Sequence, residues 1–123
     1  MDDGRELATA WIDGVLSADA LAVAECFAPD GRLRALIPPG PTERRGANAA
    51  GELIASWFVD ADPLMLIDQS VDRVADRLHI SYRLDGTELD TDFMVQQQVY
   101  AEVIDGRFMD VTLLCSGFRP RTA

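Results

Sequence analysis

From Leu64 to Phe118 the chain reads as strand almost without a break, and that run constrains the fold more than any other feature. Leu64 to Val74 is one long stretch, turned by Ala75-Asp76-Arg77. Leu78, Ile80, Tyr82 and Leu84 then alternate with His79, Ser81 and Arg83, the period of a half-buried strand. Asp85-Gly86 reads as a hairpin turn, Phe93 to Ile104 as the next strand and Asp105-Gly106 as a second turn. Arg107 to Phe118 is the last strand, stopped by Arg119-Pro120. Strands in series joined by tight turns make an antiparallel sheet.

The first half has helical period. Arg5 to Leu16 places Leu7, Trp11 and Val15 on one face, with Asp2 and Asp3 near its start, where negative charge suits the helix dipole. Ser17-Ala18-Asp19 breaks and recaps the chain, and a second helix runs through Phe27, burying Ala20, Val23 and Phe27. Pro29-Asp30-Gly31 ends it as a turn. Arg32 to Ile37 is a short, half-exposed strand, and Pro38-Pro39-Gly40-Pro41 forces a loop because proline lacks the N–H a ladder needs. Ala47 to Phe58 is a third helix carrying Ala50, Leu53, Ile54, Trp57 and Phe58 on one side. Three amphipathic helices can cover one face of the sheet, which makes the chain an α+β protein.

At 123 residues this is expected to be a single domain over residues 1–123, and 48% hydrophobic residues are enough for a core. The net charge is −10, and every basic residue is an arginine. An acidic surface repels phosphate, so neither nucleic acid nor an anionic membrane is expected as a partner. Without lysine there is no Schiff-base chemistry and no Walker-type loop. Cys26 and Cys115 lie far apart in apolar stretches and read as buried thiols. The segment Met1 to Arg5 lacks the features of a signal peptide and no apolar run reaches membrane-span length, so the cytoplasm is the expected compartment.

Trp11 in a first helix, the exit Phe27-Ala28-Pro29-Asp30-Gly31, Arg45-Gly46-Ala47 opening the third helix and the hairpin Val103 to Phe108 follow in a family-like order. In these features the chain resembles the nuclear transport factor two-like superfamily, in its polyketide-cyclase-like branch. The resemblance implies a strongly bent, mostly antiparallel sheet under three helices, forming a cone that holds a small molecule. It implies isomerase, dehydratase, hydrolase, cyclase or non-catalytic relatives, and commonly a dimer through the outer sheet face.

The family's catalytic patterns are incomplete here. Ketosteroid isomerases need a tyrosine, an aspartate base and a second aspartate kept protonated by its apolar site. The matching positions hold Trp11, Ala35 and Tyr100. The two-histidine dehydratase pattern cannot be completed by His79 alone, and Leu113 stands where a hydrolase carboxylate is needed.

The resemblance places Tyr100 inward, and Gln96 and Gln98 share its parity; two amides and a phenol can orient a polar ligand in an apolar pocket, or form a polar outer face. Phe93, Val95, Gln97 and Val99 would then face outward and call for a covering partner, a second copy of the chain. The expected pocket lining is Trp11, Trp57, Tyr82, Gln96, Gln98, Tyr100, Val111 and Leu113. Aromatics at helical spacing are also plain core. His79 and Asp110 point away from the pocket in this register, and either would serve as a base only if the register slipped. Asp85, Glu88, Asp90 and Asp92 form an acidic hairpin without EF-hand spacing, and Arg44-Arg45 beside the proline loop could meet an anion at the mouth or keep the loop soluble. No metal cluster, cofactor motif or identifiable catalytic residue emerges. Two functions fit: a pocket for a small apolar organic molecule, with cofactor-free lyase, isomerase or cyclase chemistry resting on positioning, or a non-catalytic homodimeric interaction module.

Overall fold

The computed structural model describes residues 4–38 and 40–121, so Asp2, Asp3 and Pro39 lie outside the described residues. Helices α1 (Arg5–Leu16), α2 (Ala20–Glu25) and α3 (Ala47–Ser56) pack on one face of a curved, unclosed sheet. Its strands are β1 (Phe27–Ile37), β2 (Gly40–Arg45), β3 (Leu64–Val74), β4 (Arg77–Glu88), β5 (Thr91–Ile104), β6 (Arg107–Cys115) and the short β7 (Arg119–Pro120). The spatial order is β2-β1-β6-β5-β4-β3, with β7 paired to β5. Every pairing is antiparallel except β1 with β6. This is the α+β cone expected from the sequence.

Helix α1 buries Leu7, Trp11 and Val15 as its spacing predicts. Asp19 caps α2, its carboxylate accepting from the Ala22 N–H. Helix α3 approaches α2 so closely that a Cβ at Gly51 would land on the Ala20 carbonyl, so only glycine fits there.

Four local expectations are corrected. Helix α2 stops at Glu25, and Phe27 starts a strand, because the Cys26 carbonyl accepts the Phe108 N–H of β6. Gly40 and Pro41, expected in the proline loop, instead open an edge strand over Gly40–Arg45, and Pro41 is tolerated there because an edge leaves one row of N–H groups unpaired. Asp85-Gly86 does not turn: both are buried inside β4, and the hairpin turns at Leu89-Asp90, whose φ values of 49° and 62° suit a tight primed turn. The last strand breaks after Cys115 at Ser116–Phe118 and resumes as β7.

The largest correction is the parity of β5. Phe93, Val95, Gln97, Val99 and Ala101 are buried under the helices, while Gln96, Gln98 and Tyr100 lie on the outer face. Expected lining residues Gln96, Gln98 and Tyr100 therefore point away from the interior. The physical reason is the apolar row: burying two valines, a phenylalanine and an alanine outweighs the one amide that must accompany them. The irregularity between Glu102 and Val103 in the β5–β6 ladder shifts the register one residue against β6.

Candidate functional site

Since β1 and β6 run parallel, the cone has two ends. At one, Trp11, Phe27 and Phe108 pack as a triangle with ring centroids 5.5–5.9 Å apart. At the other, β1 ends at Ile37 and β6 at Cys115.

A chain of hydrogen bonds, buried at Trp11 and Tyr82 and part-buried at Cys115, links the two. Trp11 Nε1–H donates to Tyr82 Oη at 2.9 Å, and the Tyr82 hydroxyl donates to Gln97 Oε1 at 2.6 Å. Gln97 Nε2 then donates to Cys115 Sγ at 3.4 Å, and the Gly117 N–H donates to the same sulfur at 3.4 Å. Tyr82 and Gln97 are directly opposite in the β4–β5 ladder, as are Gln97 and Cys115 in the β5–β6 ladder, so strand register sets these three and α1 adds Trp11. Burial pushes the Tyr82 phenol well above its ordinary pKa, partly offset by the Trp11 N–H, so the hydroxyl remains a donor. Trp11, Tyr82, Val111 and Leu113 of the expected lining are all fully buried, packed within the core.

The row ends at a cleft of about 340 Å³. Ile37 and Pro38 form one wall and Trp57, just past α3, another. The segment Cys115 to Arg119 makes the rest. Phe118 is fixed by Phe58 and Phe93, with centroids 5.6 and 4.7 Å away. Gly117 has φ 80° and sits against Pro38, where a side chain would be strained and crowded. Ser116 stitches the segment to β5, its N–H donating to the Gln96 carbonyl and its Oγ accepting the Gln96 N–H. No carboxylate or imidazole lines this cleft among the described residues.

Of the expected lining, only Trp57 reaches the cleft. Ile37, Cys115, Phe118 and Arg119 lie outside that expectation. The one sequence signal near them is Cys-Ser-Gly-Phe at 115–118, where glycine interrupts a strand, and it says nothing of Ile37.

The outer face carries a separate polar network. His79 is flanked by Asp72 Oδ1 on Nδ1 and Gln98 Oε1 on Nε2, each at 3.1 Å, and stacks on Tyr100 at 4.5 Å. The Tyr100 hydroxyl donates to Gln98 Oε1 at 3.2 Å. Asp110 Oδ2 faces Arg32, Arg34 and Arg77 at 3.3, 3.5 and 3.8 Å, and its hydrogen bond and charge raise the Arg32 pKa. Asp85 is held by Arg83 and Arg121, and Asp92 by Thr87 and Arg121. Arg45 pairs with Glu43, and with Arg44 it lies at the end of β2 remote from Ile37, away from the cleft. Among the described residues no three potential metal ligands gather, and no helix is long and apolar enough to cross a membrane.

No family model matches the chain, and no curated protein matches it. Solved structures do. A protein with a ketosteroid isomerase-like fold from Catenulispora acidiphila, solved with trimethylamine, has a TM-score of 0.72 at 16% identity, covering 88% of this chain and 83% of its own. A candidate isomerase from Bacillus subtilis has 0.70 at 17% identity, covering 94% and 90%. A candidate SnoaL-like polyketide cyclase from a Jannaschia species has 0.70 at 17%, covering 92% and 85%. At these identities the likeness establishes the fold and leaves the chemistry to the residues.

Proposed function

On the nuclear transport factor two-like fold that the chain shares with those structures, we propose that it binds a small apolar organic molecule in the cleft at the Ile37–Cys115 end of the cone. The single observation behind this reading is the cleft: about 340 Å³, walled by Trp57, Phe118, Ile37 and Pro38, with a lining more apolar than polar. That volume is at the lower end of small-molecule sites, roughly 300–1,000 Å³. The aromatic walls supply area and orientation.

The neighbours' names include an isomerase and a cyclase. Proton abstraction needs a base, and the cleft lining supplies no carboxylate or imidazole. Positioning is what such a cleft can contribute, which suits ring closure of a self-reactive substrate better than isomerisation by proton transfer.

The two tryptophans make the test internal. Trp57 lines the cleft and Trp11 is buried in a hydrogen bond to Tyr82. Titrating naphthalene-sized aromatics should shift the Trp57 indole N–H resonance and leave that of Trp11 in place. Equal movement of both, or of neither, would remove the cleft reading.

A second reading, a homodimer through the outer sheet face, has its own support. Leu36 and Leu114 are cross-strand neighbours and both are exposed. Asp110 Oδ1 is buried on that face without a hydrogen-bond partner among the described residues. Phe93, Val95 and Val99 lend it nothing, since they face inward. Sedimentation should show a dimer that Leu114→Glu dissociates; a monomeric parent chain ends this reading.

A further inference from the structure

Resting on the second reading, the homodimer through the outer sheet face, we propose that a proton on His79 tightens that dimer, so that two copies of the chain associate more strongly in acid. The two ring nitrogens of His79 face two oxygens. Nδ1 lies 3.1 Å from Asp72 Oδ1, and Nε2 lies 3.1 Å from Gln98 Oε1. An ionised carboxylate and an amide oxygen are both acceptors only. A neutral imidazole carries one N–H and the imidazolium two, so both contacts are hydrogen bonds only in the charged form.

Losing the proton reverses a short chain of bonds. Asp72 keeps the Nδ1 hydrogen, and Nε2 then presents a lone pair to an oxygen. Turning the Gln98 amide over removes the conflict, because its NH2 group has one hydrogen for Nε2 and one for Tyr100 Oη. Tyr100, whose hydroxyl donates to Gln98 Oε1 at 3.2 Å, becomes an acceptor and releases its own hydrogen to the surface. Each orientation of the amide therefore fits one charge state of the ring. The ring itself is held by the Tyr100 stack at 4.5 Å, with its side chain 15% exposed.

This network adjoins the apolar patch of the same face. Gln98 stands directly opposite Leu114, and Leu114 opposite Leu36, while His79 stands opposite Tyr100. An ordinary interface covers about 800 Å² of each partner, enough to take in both the leucines and His79. Under such a cover Asp72 needs its charge matched, and its ion pair is with His79. The neutral ring leaves that carboxylate unmatched, in chains that each carry a net charge of −10. The other charged or titratable groups on this side are Arg77 on β4, turned to Asp110 at 3.8 Å, and Tyr100 and Glu102 on β5.

The experiment takes the full chain from about pH 8 to about pH 5.5, within the range where histidine changes charge. The chain has one histidine, so its ring resonances are unambiguous. The Gln98 side-chain amide and the Tyr100 ring should move with the same midpoint as His79, while Gln97 and Tyr82 stay still. In sedimentation, the dimer dissociation constant should fall about tenfold across that range, the effect of a proton held ten times more tightly by the dimer. His79→Gln should lose this step. Asp72→Asn should dimerise at about pH 8 as tightly as the parent does in acid, since it leaves no charge to cover. Asp72 is 60% exposed, so its variant should fold. A Gln98 amide that ignores the His79 titration, a dimer indifferent to pH, or an equal step in His79→Gln sinks the proton switch and leaves the dimer standing. A parent chain that stays monomeric across the whole range removes the dimer reading and this proposal together.

Discussion

Gln97 and Gln98 are adjacent in one strand and live in different worlds. Gln97 is wholly buried, its oxygen accepting from Tyr82 and its nitrogen donating to Cys115. Gln98 is half-buried on the other face, where His79 and Tyr100 share its oxygen. A strand changes face at every residue, so one step decides whether an amide lies in a low-dielectric core or at a wet surface. Inside, each polar group needs its partner, because losing one strands the other without water. Outside, solvent replaces whatever is removed.

Matched substitutions test that difference. Gln97→Leu strands the Tyr82 hydroxyl and should cost about 2 kcal/mol in denaturant unfolding. Tyr82→Phe should cost a similar amount, because it leaves both Trp11 Nε1–H and Gln97 Oε1 unpaired. The double variant removes donor and acceptor together, so its cost should fall well short of the sum, with a coupling of roughly 1 kcal/mol. Gln98→Leu, the same change one residue on, should stay within about 0.5 kcal/mol. Equal costs at 97 and 98 would mean that the two faces are not distinct in this way.

The parity that separates these glutamines is legible in the sequence, though two signals there conflict. Phe93, Val95, Val99 and Ala101 form an apolar row, and hydrophobic alternation by itself turns that row inward. The family resemblance points the opposite way by fixing on Tyr100, and an ungapped alignment carries no information about a register shift such as that at Glu102–Val103. Where alternation and resemblance agree, on Leu78 to Leu84 and on Val111 and Leu113, the apolar residues are buried as expected. Asp85-Gly86 misleads for a different reason. Its turn propensity is genuine, but Arg83 and Arg121 satisfy Asp85 inside the sheet, and Leu89-Asp90 accept the left-handed angles. The cleft is hardest to see, since it joins Ile37, Trp57 and the 115–119 segment from three distant parts of the chain. No local pattern encodes that meeting.

The two cysteines repeat the inside–outside contrast with the smallest expected effect on stability. Cys26 is buried, its thiol donating to the Ala22 carbonyl at 3.6 Å, and burial with the nearby Glu25 charge pushes its pKa up to about 11. Cys115 is half-buried and faces the cleft. Iodoacetamide should therefore label one thiol per native chain, Cys115, and reach Cys26 only after denaturation. The same shift predicts a pH dependence. The folded pKa of Cys26 lies above its ordinary 9.0, so its contribution is whole below about pH 9 and is lost as pH rises through about 11. Stability should decline across that window in the parent chain and decline less in Cys26→Ala, with pH profiles compared between the two so that other alkaline titrations cancel. Labelling of Cys26 in the native chain as fast as Cys115 would show that this end of α2 opens readily, and the thiol would then not be the sequestered group its burial describes.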